Sequence, residues 1–285
     1  MAGRARPDRG KLTQSLYELT SQDVAAALAR SPIAVLPFGS VEQHGPHLPC
    51  GTDTMAADQV ARALAHRIGA LHVPFGPYGV TPIHAGHPGT ISLRRHTFEA
   101  LVADVCAEMI GMGATRLVFV NWHELNTPSL DAVATDIQDE TNARVFVAQA
   151  CYVAQRLYAD TGGSLTHGGS IETMAAMAYD ESLVKAERAG AGARPPGAAE
   201  ADAMRRSNEV YGFITDVTEI ASEGWYGDPG WATSERAATF PKAVVEEIAA
   251  RLEAIGALDA GGPHPYAGRA RPDRGARDQE GKDDE

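Results

Sequence analysis

Three short apolar runs limit the folds open to this chain: Ile33–Phe38 (IAVLPF), Arg116–Val120 (RLVFV) and Arg144–Ala150 (RVFVAQA). A strand with one wet face alternates apolar and polar residues, whereas a nearly continuous run must be covered on both faces. Leu71–Phe75 reads as a fourth strand. Between the runs lie stretches of helical period. Thr54–Ile68 carries Met55, Val60, Leu64 and Ile68 on one stripe, with Thr54 placed to cap it. His96–Met112 carries Leu101, Val105 and Met109. Helices are also predicted over Pro128–Thr141, Gly169–Tyr179 and Phe240–Ile255. Buried strands alternating with amphipathic helices predict an α/β fold of three layers, α/β/α, with a mostly parallel sheet. In such sheets functional residues gather beyond the carboxyl ends of the strands.

The expected organisation is a folded body over 13–258 between disordered tails at 1–12 and 259–285. Both tails are rich in Gly, Pro and charged residues, with little to bury. The nonapeptide AGRARPDRG occurs at 2–10 and again at 267–275 and reads as low-complexity duplication. Residues 188–203, small and Pro-containing, read as a surface loop. The formal net charge of −12 argues against a nucleic-acid partner, which needs a basic footprint. No apolar run approaches the ~20 residues of a membrane span. The opening MAGRARPDRG has no apolar stretch of the secretory type, and three widely spaced cysteines (Cys50, Cys106, Cys151) fit reduced thiols. The expected location is therefore the cytoplasm.

Ligand-type residues cluster where strands end. Gly39–Asp53 (GSVEQHGPHLPCGTD) follows the first run directly. Glu42 and His44 are two apart, so in extended chain they leave the same face. Gly45, Pro46, Pro49 and Gly51 let the chain fold back and bring Asp53 toward them. Two carboxylates and an imidazole suit zinc, manganese or iron. Asn121–Asn126 (NWHELN) follows the RLVFV strand and offers His123; Glu124, adjacent, points the other way and reads as a pocket wall. Thr166–Thr173 (THGGSIET) offers His167, an imidazole suited to moving a proton. It also offers Glu172, either a further ligand or an acidic residue favoured at a helix start. Trp122, Trp225 and Tyr226 are candidates for lining a substrate pocket, the last two within EGWYGDPGW at 223–231.

The 39–53 run resembles the signature of the creatininase family. GHPGTISL at 86–93, NWHELN and THGGSIET resemble that family's later motifs in the same order, over about Thr13 to Leu258. The resemblance implies an α/β/α fold, a centre of two divalent ions (Zn, or Mn or Fe) and a homohexamer built as a trimer of dimers. Glu42, His44, Asp53 and His123 match metal ligands, Asp53 being the carboxylate shared by both ions. His167 matches the proton-donating histidine. The chain also departs from creatinine-hydrolysing members. Leu125 stands where they carry a glutamate ligand, Glu124 where they carry a tyrosine and Thr166 where they carry a glutamate. No tryptophan lies in Cys151–His167, where they place substrate-facing ones. Glu172 is preferred over Glu124 as the replacement ligand, and Glu124 as substrate-binding.

The resulting expectation is a two-metal amidohydrolase acting on a small-molecule substrate. Metal-activated hydroxide attacks an amide C–N bond outside peptides, cyclic amides included, with His167 and Glu172 assisting. Relatives that open a keto-inositol ring, remove a formyl group or trim a small redox peptide supply the alternatives. A degenerate, non-catalytic subunit is the remaining one.

Overall fold

The computed structural model describes residues 14–190, 192–207 and 209–259. The elements run α1 (Ser21–Arg30), β1 (Ile33–Phe38), α2 (Thr52–Ile68), β2 (Leu71–His72), α3 (Arg95–Gly111), β3 (Arg116–Asn121) and α4 (Thr127–Glu140). They continue with β4 (Arg144–Gln149), α5 (Ala150–Tyr158), α6 (Ser170–Asp180), α7 (Ala198–Ser207) and α8 (Ser234–Ala254). The four strands form one parallel sheet in the order β2-β1-β3-β4. Both faces are covered, as the unbroken apolar runs require. Val35, Val118 and Val120 pack with α2, α5, α6 and α8 on one side. Ala34, Leu36, Leu117 and Phe119 pack with α1, α3 and α4 on the other. The layered α/β/α fold is as expected.

Phe38 pairs with Asn121, and Asn121 with Gln149, so β1, β3 and β4 finish level. The loops after Phe38 and Asn121 therefore leave the sheet side by side.

Several local expectations are corrected. β2 stops at His72 instead of Phe75, because Pro74 has no N–H to give the ladder. α2 begins at Thr52 with Gly51 as its cap. Thr54 caps nothing; its hydroxyl donates to the carbonyls of Ser40 and Pro77. α3 buries Phe98, Val102, Cys106 and Met109, and Leu101 is exposed, so the true stripe is rotated from the expected one. α8 starts well before Phe240, capped by Thr233, although Pro241 reads like a helix start. The expected 188–203 loop contains the start of α7, an alanine-rich helix held by Asp202 ion pairs to Arg205 and Arg206. Helices α1 and α5 were not expected. The tail readings and both AGRARPDRG copies lie outside the described residues, Asp259 excepted. Among the described residues no helix is long and apolar enough to cross a membrane, and all three cysteines are free.

Candidate metal centre

Gly39 lets the end of β1 press onto the start of α2: a Cβ there would meet the backbone nitrogen of Thr54 at 2.4 Å. This approach brings the 39–44 loop over Asp53, which lies in the first turn of α2. Ser40 Oγ donates to Asp53 Oδ2 at 2.9 Å. The positive end of the helix and this hydroxyl both favour an ionised carboxylate.

Asp53 presents its two oxygens to two different imidazoles. Oδ1 lies 3.3 Å from His44 Nε2, and Oδ2 lies 2.9 Å from His123 Nδ1. His123 Nδ1 is also 3.5 Å from Glu42 Oε2, and His44 Nε2 is 3.6 Å from Glu172 Oε2. Two further imidazoles approach Glu42 Oε1 at 3.6 Å each: His84 through Nε2 and His167 through Nδ1. Their rings lie 4.2 Å apart.

Three of these imidazoles are aimed by the backbone. His44 Nδ1 bonds the Glu42 carbonyl at 3.0 Å, His123 Nε2 that of Val80 at 3.1 Å and His167 Nε2 that of Gln43 at 2.6 Å. A carbonyl can only accept, so each of those nitrogens donates. The opposite nitrogen then faces the cluster, the arrangement by which proteins orient metal-binding histidines. Three donor groupings result: Glu42, Asp53 and His123; His44, His167 and Glu172; and Glu42, His84 and His167.

Without a metal, protons balance this cluster. Burial opposes charge on His44, yet Asp53, Glu172 and Glu42 hold its proton, up to about 10. His123 is likewise buried, and Glu42 and Asp53 raise it to about 9. Asp53, despite burial, is held far below the usual carboxylate range by His44 and His123. Burial pushes Glu172 up to about 8. Burial lowers His84 to about 4, and burial with the neighbouring His44 and His84 lowers His167.

The structure thus brings Glu42, His44, Asp53, His123, His167 and Glu172 together from loops far apart in sequence. It does not bring Glu124 in. Arg205 Nη1 holds that carboxylate at 3.0 Å and Arg206 Nη2 at 3.4 Å. Trp122 belongs to the core, edge-on to Phe240 and closed to solvent. Trp225 and Tyr226 are also closed to solvent. Tyr226 donates its hydroxyl to Asp202 Oδ2 at 2.9 Å, while Trp225 packs on His47. Sequence reasoning missed His84 and Ser40. The available signal for His84 was its place just ahead of GHPGTISL, a motif whose Thr90 hydroxyl accepts from Gln43 N–H beside Glu42.

Residues 17–252 match the family model named Creatininase, creatinine amidohydrolase. The chain belongs to the creatininase family. It is 30% identical over 245 residues to the mycofactocin precursor peptide peptidase of Mycobacterium tuberculosis, across 82% of this chain and 90% of that one. It is 30% identical over 198 residues to the creatinine amidohydrolase of Pseudomonas putida, across 63% and 74%. A solved structure described as "Creatininase Mn" shares the fold with a TM-score of 0.68 at 26% identity, over 85% of this chain and 98% of that one. As a member of the creatininase family the protein is a metal-dependent hydrolase of the amidohydrolase type.

Proposed function

We propose that two divalent ions, zinc or else manganese or iron, are held on either side of Asp53 and serve the hydrolysis of an amide C–N bond. Glu42, Asp53 and His123 would hold one; His44, Asp53 and Glu172 the other. One observation carries this reading: the two oxygens of a single buried carboxylate face imidazoles of two separate donor groups. The donor set fits cations. Three carboxylates and aimed imidazoles converge, and buried Glu42 Oε2 has no hydrogen-bond partner among the described residues. Bound there, such ions make water acidic enough to attack at neutral pH and polarise a carbonyl.

The chain's own groups complete the chemistry. His167 is the most open of the seven cluster side chains, at 13% exposure. With Nε2 committed to the Gln43 carbonyl, Nδ1 is the atom that carries a proton to the departing nitrogen. An amide nitrogen leaves poorly without that proton. Glu172, fixed through Oε2 by the Gly168 N–H at 2.6 Å, orients the attacking water. The substrate reading from sequence is a small amide outside peptides, cyclic ones included. The wider coverage of the peptide peptidase relative favours a second reading, an amide within a short peptide. A hexamer belongs to the same proposal and is read by analytical ultracentrifugation.

The test is to load the protein with zinc, manganese or iron and assay C–N cleavage: the ring-opened carboxylate from creatinine and other cyclic amides, formate and amine from formamides, and new termini from short peptides, with keto-inositols alongside. Cleavage of an amide C–N bond with two bound equivalents is expected. A sugar acid from a keto-inositol and no C–N cleavage of any amide would replace the bond assigned. Failure to bind ions would defeat the proposal altogether.

A further inference from the structure

The turn that carries His167 and leads to Glu172 contains two consecutive glycines, Gly168 and Gly169. Glycine has little conformational preference of its own, and Gly168 stands at φ +77°. Its shape must be imposed from outside. His47, to which the mechanism above gives no task, reaches it from the first motif: Nε2 donates to the Gly168 carbonyl at 2.8 Å. The N–H of the same glycine donates to Glu172 Oε2. One residue thus links His47 to a candidate ligand on one side and follows His167 directly on the other.

The His47 ring has little room to swing. It lies 4.7 Å from the Trp225 ring, and Trp225 is itself packed so closely on Gly45 that a Cβ there would meet the indole at 2.7 Å. His47 is buried, yet its Nδ1 has no hydrogen-bond partner among the described residues. Packing alone would be better served by an apolar ring, which leaves no buried polar atom unpaired. The feature that distinguishes histidine here is the single N–H given to Gly168.

We propose that His47 is a positioning residue: it fixes Gly168 so that His167 Nδ1 and the Glu172 carboxylate face the cluster together. Its consequence for ion binding and turnover rests on the two-ion reading above; its effect on the turn does not. His47→Phe keeps a ring against Trp225 and removes the N–H. His47→Gln returns an amide N–H near the position of Nε2.

Three readouts decide the matter: amide hydrogen exchange over 167–173, zinc content after dialysis against a chelator, and kcat with KM. In His47→Phe, exchange over this turn should accelerate. The zinc equivalent dependent on Glu172 should weaken by about 10–100-fold, the usual effect of losing a group that orients a ligand, and kcat should fall by a similar factor. The equivalent held by Glu42, Asp53 and His123 should remain. His47→Gln should recover all three readouts. A folded His47→Phe protein with unchanged exchange and zinc affinity overturns the assignment, and so does a Gln variant as impaired as the Phe variant. Should the Phe ring prevent folding, His47→Met replaces it in the same comparison. If the unmodified protein binds no second zinc, the two-ion reading fails by itself, and the exchange rates still decide the role of His47.

Discussion

At the β2 edge of the sheet, His72 is buried with Ser15 Oγ 3.1 Å from Nδ1 and Asp58 Oδ1 3.1 Å from Nε2. At the carboxyl ends of β1 and β3, His44 and His123 are comparably buried and also have carboxylates beside them. The first arrangement is sparse: one hydroxyl bonds the imidazole, and one carboxylate on α2 lies beside Nε2 without a hydrogen bond to it. The second gathers an excess of donors. Three carboxylates share four imidazoles, one carboxylate oxygen is left over, and backbone carbonyls turn three of the rings toward one another. A buried histidine beside an acid is therefore weak support for a metal site. An excess of converging donors, each aimed by a second bond, is stronger support.

The largest expected effect sets these two places against each other. Asp53→Asn should remove bound metal, measured by elemental analysis, and lower kcat by about 10³-fold or more, since metal catalysis supplies several kcal/mol. Asp58→Asn should leave metal content and turnover unchanged and cost only stability, by at most about 1 kcal/mol, the worth of a partly exposed ion pair. Equal metal content in both variants would erase the distinction. Next comes His167→Ala: metal should stay, while kcat falls by about 10²–10⁴-fold, the worth of a positioned acid. Unimpaired turnover would remove its role as proton donor.

The smallest effect concerns pH. His44 and His123 are raised to about 10 and about 9 in the metal-free fold, from an ordinary 6.5. Their contribution is therefore complete below pH 6.5 and is lost as pH rises through 9 and 10. Glu172, raised to about 8, acts in the same direction as it ionises. The Tm of the metal-free protein should fall by several degrees across this window, at about 2–4 °C per kcal/mol for a chain of this size. The metal-loaded protein should fall less, because the ions replace those protons. Parallel curves would show that the cluster does not exchange protons for metal.

Much of this arrangement was legible before any coordinates. Unbroken apolar runs dictated a sheet covered on both faces, and strand ends located Glu42, His44 and His123. Four features were hidden. His84 arrives on a short turn just ahead of GHPGTISL, and only the fold brings it to Glu42. Which way a side chain faces at a strand end depends on where the strand stops, so Trp122 was given to a pocket when it fills the core. The stripe of α3 was misplaced because Leu101 looks as apolar as Val102, and only packing against Phe38 and its neighbours distinguishes them. Helix α7 was obscured by the Gly- and Pro-rich stretch before it; its hold on Glu124 depends on a contact distant in sequence.

The level finish of β1 and β3 ties folding accuracy to chemistry. If β3 slid by one residue against β1, the alternation of its side chains would carry Trp122 toward the acidic cluster and His123 away from Asp53 into hydrocarbon. Such a slip would expose an indole and bury an unpaired imidazole in the same movement, so the error penalises itself twice. The interdigitation of Phe119 and Val120 with their two helical layers thus acts as the gauge that sets where the ligands arrive, and a mutation deep in the sheet can be read out as a change in metal affinity.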